Sequence, residues 1–427
     1  MPDYAQFSQQ QLEEELARLN EEYAAFKARD LKLNMARGKP SSEQLELSRP
    51  VLDVLNSQSD LSSDDGTDCR NYGVLEGLAE TRTFMGAMMD EHPSNVFIYG
   101  ASSLKMMYDT FAQYYMFGVL GKTPWCKLDE MKWLCPVPGY DRHFAITEAF
   151  GVQMINVPLL EGGPDMDMVE DLVAKDASIK GIWCVPKYSN PSGTSYSDET
   201  VRRLAKMHCA APDFRIFWDN AYAVHHLYDD PARQDQVLDI RSACEEAGYP
   251  NRYMKFASLS KITFPGASIS AFGCSFANMQ EAKKRLGVQT IGFDKLNQLR
   301  HVRYLRDMDG LAAHMSKHAA IIRPKFELVL DALRENLVGT GCTWTEPRGG
   351  YFVCFSGPEG TAKRTVSLAK EAGVVLTGAG APFPYGNDPE DSVIRLAPTL
   401  PPLDELRVAM EVFVCCAKTA CVERLLA

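Results

Sequence analysis

The sequence predicts an α/β protein in which a large, mostly parallel sheet is followed by a smaller α+β unit. From about residue 80, short apolar runs of strand length recur between helical or loop segments, as in KWLCPV, KGIWCVP and RIFWDN. Buried apolar strands that alternate with helices are typical of parallel sheets. After the helical pattern RPKFELVLDALRENL, the segments CTWTEPRGGYFVCFS and SVIRLAPT have the pattern of strands in a second unit.

The chain begins with an amphipathic helix and ends with another helix. Residues 8 to 29 carry apolar side chains at near-helical spacing, from Leu12 to Tyr23. Gly38 and Pro40 then interrupt regular structure in LNMARGKP, and the polar stretch NSQSDLSSDDGTDCRNYG predicts an exposed loop. The final segment, ELRVAMEVFVCCAKTACVERLLA, predicts a closing helix.

Length and pattern together divide the chain into parts. A chain of 427 residues is too long for one small core. We predict a large domain over residues 61–320 and a small C-terminal domain over residues 321–427. The N-terminal segment, residues 1–60, is expected to pack with the small domain.

Composition argues against several classes of function. The net charge of -11 disfavours non-specific binding to nucleic acid, which requires a surface rich in lysine and arginine. No long apolar run and no secretory signal are visible, so we expect no membrane span and a cytoplasmic location. The cysteines form no C-x-x-C pair and the histidines are dispersed, which predicts reduced thiols and neither a disulfide framework nor a metal site.

One lysine lies among small, hydroxylated and apolar residues in SLSKITFPGAS. Lys261 could be an ordinary surface cation, or an amine that attacks a carbonyl and holds it covalently. Asp219 ends an apolar run in FRIFWDNAYAVHH, and Tyr222 follows shortly after it. Asp219 could be a helix N-cap, or a partly buried anion that holds a cation such as a pyridinium nitrogen.

Two further motifs follow predicted strands. Asn190 lies in VPKYSNPSGTSYSDE, where Asn-Pro-Ser-Gly is also an ordinary turn sequence. Ser102 and Ser103, in IYGASSLKMMYD, could cap a helix, or could offer hydroxyl and backbone donors to a phosphate. Open α/β sheets place ligand sites at the ends of their strands, so these motifs together favour one shared site.

The ordered motifs resemble those of the class I aminotransferases, which are fold-type I pyridoxal-phosphate enzymes. Between residues 71 and 398, seven motifs occur in the same order as in that family: NYGVLEG, GASS, VPGYDRH, SNPSGT, DNAY, SLSK and VIRLAP. The motif LNMARGKP precedes them. The overall pattern is similar to the divergent, MocR-related aspartate aminotransferases. The resemblance implies pyridoxal 5'-phosphate as cofactor, amino-acid and 2-oxo-acid substrates, and a homodimer.

The resemblance also implies roles for individual residues. Lys261 would form the Schiff base and move a proton during transamination, while Asp219 would pair with the pyridinium nitrogen. Around the cofactor, the expected contacts are Asn190 and Tyr222 at the phenolic oxygen, Tyr140 at the ring face, Ser102, Ser103 and Ser258 at the phosphate, and Tyr72 at the phosphate of the neighbouring subunit. Around the substrate, the expected contacts are Arg395 at the α-carboxylate, Asn190, Gly38 and Arg37.

One position departs from the family pattern. Many members carry a phosphate-binding arginine shortly after the lysine, whereas KITFPGASIS contains none. Ser268 falls nearest to that place, and Lys105 or Arg348 could supply the missing cation.

The substrate and the reaction stay open at the level of sequence. Arg37 and Lys39 favour a dicarboxylic substrate such as aspartate or glutamate if they face the site, or are solvated loop charges if they do not. The same cofactor site could serve a lyase, a decarboxylase or a cyclising synthase. A MocR-like regulator would need a DNA-binding domain, and the acidic N-terminal segment shows no helix-turn-helix pattern.

Overall fold

The structure, a computed structural model that describes residues 3–427, confirms the predicted α/β fold. Its strands are β1 (Leu33–Asn34), β2 (Val96–Tyr99), β3 (Lys132–Val137), β4 (Gln153–Leu160), β5 (Gly163–Pro164), β6 (Ile179–Cys184), β7 (Arg215–Asp219), β8 (Tyr253–Ser258), β9 (Ser270–Cys274), β10 (Thr343–Trp344), β11 (Val353–Ser356), β12 (Val374–Val375) and β13 (Val393–Leu396). Its helices are α1 (Gln9–Lys27), α2 (Ser42–Leu47), α3 (Ala79–Met89), α4 (Ser103–Phe117), α5 (Asp141–Ala149), α6 (Met166–Lys175), α7 (Asp198–Lys206), α8 (Ile240–Glu246), α9 (Phe276–Gln289), α10 (Lys295–Leu305), α11 (Met308–Asn336), α12 (Ala362–Glu371) and α13 (Leu403–Leu426).

An eight-stranded sheet forms the centre of the larger part, in the order β2-β9-β8-β7-β6-β3-β4-β5. Strands β8, β7, β6, β3 and β4 run parallel to their neighbours in that series. Strand β9 runs antiparallel to both of its neighbours, and β5 runs antiparallel to β4 at the edge. Strands β6, β7 and β9 are buried along their whole length, which is why they stand out in the sequence as continuous apolar runs.

Aromatic side chains pack against one another beside this sheet. Trp133 on β3 contacts Phe111 on α4, with ring centres 5.0 Å apart, and Phe217 on β7, with ring centres 5.3 Å apart. Phe217 also meets Trp183 on β6 at 4.9 Å. Fully buried rings of this size contribute much of the apolar surface that a core removes from water, so they hold the strands in place.

The order of the strands brings several loops to one edge. Parallel strands end at the same side of a sheet, and ligands bind there in open α/β folds. Here β7 ends at Asp219 and β8 ends at Ser258, while β6 leads into the loop that carries Asn190. The sheet therefore places the motifs that contain Asn190, Asp219 and Lys261 along a common edge.

A second, antiparallel sheet of three strands, β10-β11-β13, forms the smaller part together with the long helices α11 and α13. The N-terminal segment meets this part twice. Strand β1 pairs in parallel with β12, and α1 packs on α13, where Cys415 Sγ lies 3.6 Å from the backbone carbonyl of the buried Leu19. The boundaries of the domains stay a prediction.

Helix α11 begins earlier than the sequence predicts. The pattern RPKFELVLDALRENL suggests a helix that starts near Arg323, but α11 begins at Met308 and contains Pro324 in its interior. A proline inside a helix removes one backbone hydrogen bond and is better tolerated in the first turn, which is why this pattern indicates a helix start near Arg323. Among the helices within residues 3–427, none has both the length and the apolar character that a membrane crossing needs.

Replacing Gly373 with alanine tests the junction between the N-terminal segment and the smaller part. Gly373 has φ +87° and accepts a 2.9 Å hydrogen bond from the Leu33 N–H, and a Cβ there would collide with the carbonyl of Leu31. Gly248, with φ +80° and open space around it, is a matched control. We expect Gly248→Ala to cost about 1 kcal/mol for the left-handed backbone, and Gly373→Ala at least about 2 kcal/mol because the collision adds to it. Thermal unfolding of both variants measures the difference; equal melting temperatures would show that the junction is not packed this closely.

Candidate active site

Lys261 lies in the turn that follows Ser258, the last residue of β8, and its amine points at a buried tyrosine. Nζ donates a 2.6 Å hydrogen bond to the hydroxyl of Tyr222 and lies 4.0 Å from the centre of that ring. Removal of the amine from water lowers the pKa of Lys261 to about 8; the Asp219 carboxylate opposes this shift and the Arg395 guanidinium adds to it. Lys261 therefore presents more neutral, nucleophilic amine near neutral pH than an ordinary lysine does.

Asp219, the last residue of β7, is a buried carboxylate with only one oxygen paired. His143 Nε2 donates to Asp219 Oδ2 at 3.0 Å, and the two side chains are 2% and 3% exposed. His143 is fixed in turn by stacking on Trp183, with ring centres 4.6 Å apart. Asp219 Oδ1 has no hydrogen-bond partner within residues 3–427. A buried anion with a free acceptor suits a cationic N–H donor, so this carboxylate fits the pyridinium nitrogen of the expected cofactor.

Two tyrosines lie next to these charged groups. Burial raises the pKa of Tyr222 far above its usual range, and the nearby Tyr140 and Asp219 act in the same direction. Burial, followed by the Asp219 charge, raises the pKa of Tyr140 to about 12. The Tyr140 ring meets His143 edge to face, with ring centres 4.9 Å apart. Both hydroxyls therefore stay protonated at neutral pH and can donate hydrogen bonds.

Arg395 lies on β13 of the smaller sheet and contacts Asn190, which belongs to the site at the edge of the larger sheet. Its Nη1 donates to Asp141 Oδ1 at 2.9 Å and to Asn190 Oδ1 at 3.2 Å, and its Nε lies 3.4 Å from Thr377 Oγ1. The guanidinium carbon lies 5.0 Å from the centre of the Phe352 ring. A guanidinium offers parallel N–H donors, so Arg395 is suited to bind a carboxylate by two hydrogen bonds.

The start of helix α4 adjoins the turn of Lys261. Ser102 caps this helix, because its hydroxyl accepts the backbone N–H of Lys105 at 3.3 Å, and Ser103 is the first helical residue. Ser260 Oγ donates to the carbonyl of Ala101 at 3.1 Å and so joins the lysine turn to the start of the helix. Backbone N–H groups at a helix N-terminus attract phosphate, and this end of α4 is suited to that role.

The three side chains that could replace the missing phosphate-binding arginine already have partners. Ser268 Oγ donates to the carbonyl of the next residue at 3.0 Å. Lys105 Nζ lies 2.5 Å from Asp109 Oδ2, and Arg348, which is 59% exposed, lies 3.9 Å from Asp235. A role for any of them at a phosphate stays a prediction.

The N-terminal segment and Tyr72 lie in different surroundings. Gly38 approaches Phe352 so closely that a Cβ would collide with the ring, which places residues 37–39 against the aromatic group that faces Arg395. Arg37 itself is exposed. Tyr72 is 84% exposed and lies in a separate surface cleft of about 510 Å³, lined by residues 69–73 and 292–296.

Sequence reasoning missed His143 and Asp141, although both belong to the motif VPGYDRH. The hydrogen bond from His143 to Asp219 joins residues that are 76 positions apart, and the ion pair of Asp141 with Arg395 joins residues 254 positions apart. A histidine just after a strand end, beside a residue already assigned to the site, is the signal that could have suggested His143. Only the fold shows which partners these side chains have.

Comparison with known proteins shows the family of the chain. A family model described as aspartate amino-transferase matches residues 7–427. An aspartate aminotransferase of Corynebacterium glutamicum is 46% identical, over 95% of this chain and 93% of that protein. A crystal structure of an aspartate transaminase from the same species has a TM-score of 0.96 and 44% identity, covering 100% of this chain and 99% of that one. A Thermus thermophilus α-aminoadipate aminotransferase, complexed with N-(5'-phosphopyridoxyl)-L-leucine, has a TM-score of 0.73 at 21% identity, covering 92% of this chain and 95% of that one, and so shares the fold.

The depressed pKa of Lys261 predicts how its amine reacts. In cofactor-free protein, reductive methylation with formaldehyde should label Lys261 with a midpoint near pH 8, because only the neutral amine reacts. Ordinary exposed lysines, with a pKa of about 10.4, serve as the internal control. Asp219→Asn should move the midpoint lower, since the carboxylate raises the pKa of Lys261. Peptide mass spectrometry across pH measures both; a Lys261 midpoint equal to that of the exposed lysines would contradict the desolvation of the amine.

Proposed function

The chain belongs to the aspartate amino-transferase family, and on that premise we propose that it binds pyridoxal 5'-phosphate and transfers the α-amino group of aspartate or glutamate to a 2-oxo acid. The observation that carries this proposal is the placement of an amine and a carboxylate at one edge of the sheet. Lys261 offers an amine whose pKa is lowered to about 8, and Asp219 offers a buried acceptor oxygen with no partner within residues 3–427.

Asp219 is the residue that would bind the ring nitrogen. When bound, pyridoxal phosphate supplies an aldehyde that takes up the amino group and a protonated ring that withdraws electrons. Asp219 Oδ1 would accept the N–H of that ring, and the negative charge of the carboxylate favours the protonated form of the nitrogen. His143 holds the carboxylate in this orientation through Oδ2, and Trp183 holds His143.

Lys261 is the residue that would move the proton. A pKa of about 8 lets Nζ accept a proton from the α-carbon of the substrate and return it without a large energetic penalty in either direction. Tyr222 keeps the amine in position through the 2.6 Å hydrogen bond to Nζ. Because its own pKa is far above neutral, the Tyr222 hydroxyl also stays available as a donor to the cofactor's phenolic oxygen, together with the side chain of Asn190.

The positions of the side chains support the remaining cofactor contacts that we propose. Tyr140, beside His143, would cover the ring, and the phosphate would lie at the start of α4 near Ser102 and Ser103, with Ser258 behind it. These backbone and hydroxyl donors would carry most of the phosphate binding where the family's arginine is missing.

Arg395 would bind the α-carboxylate of the substrate, and the N-terminal segment would bind the second carboxylate of aspartate or glutamate. Arg395 lies at the end of a chain of contacts that runs through Phe352 to Gly38. Arg37 and Lys39 flank Gly38, are exposed, and form no salt bridge within residues 3–427. Two cations beside the pocket, without internal partners, favour a substrate with a second negative charge.

Two arginine variants separate the two carboxylate sites. Arg395→Leu should lower kcat/KM for every amino donor, whereas Arg37→Leu should lower it for aspartate and glutamate and leave alanine unchanged. The loss should be about 1.5–3 kcal/mol, or about one to two decades, for each desolvated carboxylate that loses its charged partner. Steady-state assays with single donors measure these ratios, and Arg29→Leu, an exposed arginine at the end of α1, is the control. Wild-type protein that uses alanine as fast as aspartate would refute the dicarboxylic preference.

We also infer a homodimer in which each chain completes the site of the other. Large apolar side chains are exposed in the segment that leads into residues 292–296 of the cleft that contains Tyr72: Val288 is 91% exposed and Ile291 61%. Exposed apolar groups of this size are typical of protein interfaces. Tyr72, at the centre of this surface, would then reach the phosphate bound by the neighbouring chain.

Mixing two inactive variants tests the shared site. In a mixed dimer of Lys261→Ala and Tyr72→Ala chains, one of the two sites combines an intact Lys261 with an intact Tyr72. Random exchange of chains should therefore restore about one quarter of wild-type activity, because half of the dimers are mixed and each has one intact site. Activity after refolding the two variants together, compared with refolding them apart, measures the recovery. No recovery in dimers shown to be mixed, by co-purification through an affinity tag on one variant only, would mean that Tyr72 serves the site of its own chain.

A further inference from the structure

Arg395 has a carboxylate partner inside the protein. Its Nη1 donates to Asp141 Oδ1 at 2.9 Å and to Asn190 Oδ1 at 3.2 Å, while Nε is 3.4 Å from Thr377 Oγ1. Within residues 3–427, Nη2 has no hydrogen bond. The Arg395 side chain is 9% exposed, so its charge would be costly to keep without an anion nearby. Asp141 supplies that anion.

The same contact stands in the way of a second carboxylate. A carboxylate that binds end-on takes one N–H from Nη1 and one from Nη2, and Nη1 is the nitrogen that Asp141 engages. Two carboxylates beside one guanidinium nitrogen repel each other. An α-carboxylate that binds end-on must therefore displace Asp141 from Nη1 of Arg395.

Asp141 is placed so that it can move while its neighbours stay. Its side chain is 34% exposed and its one side-chain hydrogen bond within residues 3–427 is the one to Arg395. It is the first residue of α5, where the helix dipole stabilises a negative charge that has turned toward solvent. His143, two positions later, is held by Asp219 and Trp183, so rotation of Asp141 need not disturb it.

We propose that Asp141 is a specificity-determining residue that competes with the substrate's α-carboxylate for Arg395. This inference rests on the proposed role of Arg395 in binding that carboxylate. Binding then exchanges one carboxylate for another, so the α-carboxylate alone contributes little net affinity. A simple carboxylate binds weakly, and the amino group and the second carboxylate decide which molecule is retained.

Removing the charge of Asp141 tests the competition directly. The probes are propionate and succinate, which carry one and two carboxylates and no amino group, and their dissociation constants are measured calorimetrically on the holoenzyme. Both Asp141→Asn and Asp141→Ala should tighten both probes by about tenfold, with the succinate-to-propionate ratio unchanged. Asp198→Asn is the matched control, because Asp198 is also the first residue of a helix and pairs with an arginine, Arg202, at an exposed site.

Other outcomes would overturn the proposal. If Asp141→Ala weakens both probes and Asp141→Asn restores them, Asp141 holds Arg395 in position and does not compete. Unchanged constants in both variants, or equal tightening in Asp198→Asn, would also refute the competition. Arg395→Leu separates the proposed role of Arg395 from the proposed competition by Asp141. If it retains wild-type affinity for both probes, the proposed role of Arg395 is wrong; if it loses both while the Asp141 variants do not tighten, only the competition is wrong.

Discussion

The half-satisfied carboxylate of Asp219 is the constraint on which the rest of the site depends. A buried carboxylate is costly unless hydrogen bonds or opposite charges compensate it, and here His143 satisfies one oxygen only. Asp219 is the last residue of strand β7, and His143 is held by stacking on Trp183. The charge of Asp219 also raises the pKa of Lys261, against the effect of burial. The protein thus keeps a buried acceptor oxygen that a cationic ligand would satisfy. The unpaired oxygen lowers the free energy of unfolding of the ligand-free protein, and a bound N–H donor would restore it.

A network of hydrogen bonds links the N-terminal segment to the lysine. Gln44 on α2 donates to the hydroxyl of Tyr351 at 2.9 Å, and that hydroxyl lies 3.3 Å from the carbonyl of Lys261. Gln44 Nε2 also lies 3.1 Å from His318 Nδ1 on α11. Since buried polar groups persist only when they are satisfied together, α2, α11 and the lysine turn are held in one relative position. Gly38 lies in the segment that precedes α2 and packs against Phe352, the ring that faces Arg395. By fixing α2, the network therefore also helps to fix the position of Gly38 beside that ring.

The sequence predicts those parts of the site that depend on local pattern. An apolar run that ends in a carboxylate indicates the end of a buried strand, and Asp219 lies there. Ser102 caps α4 beside the lysine turn, and its role at a phosphate stays a prediction. Partners that lie far apart in the chain could not be predicted, as with Asp141 and Arg395. The early start of α11 was missed because tertiary packing outweighs the hydrogen bond that Pro324 removes. The role expected for Tyr72 comes from the family resemblance alone, because a single chain does not show what an exposed side chain meets in a second subunit.

The site contains two pairs of opposite charge, Asp219 with Lys261 and Asp141 with Arg395, and the two cations oppose each other. The Lys261 amine lies between the influence of Asp219 and that of Arg395, and Arg395 in turn pairs with Asp141. On the proposed assignments, an amino acid enters this series as a zwitterion, so its carboxylate and ammonium replace charges that the protein already balances. Binding then exchanges partners instead of burying new charge, which keeps the affinity for the ground state modest. Interactions that are weak in the ground state leave more of the binding energy to be expressed in the transition state, where it accelerates the reaction.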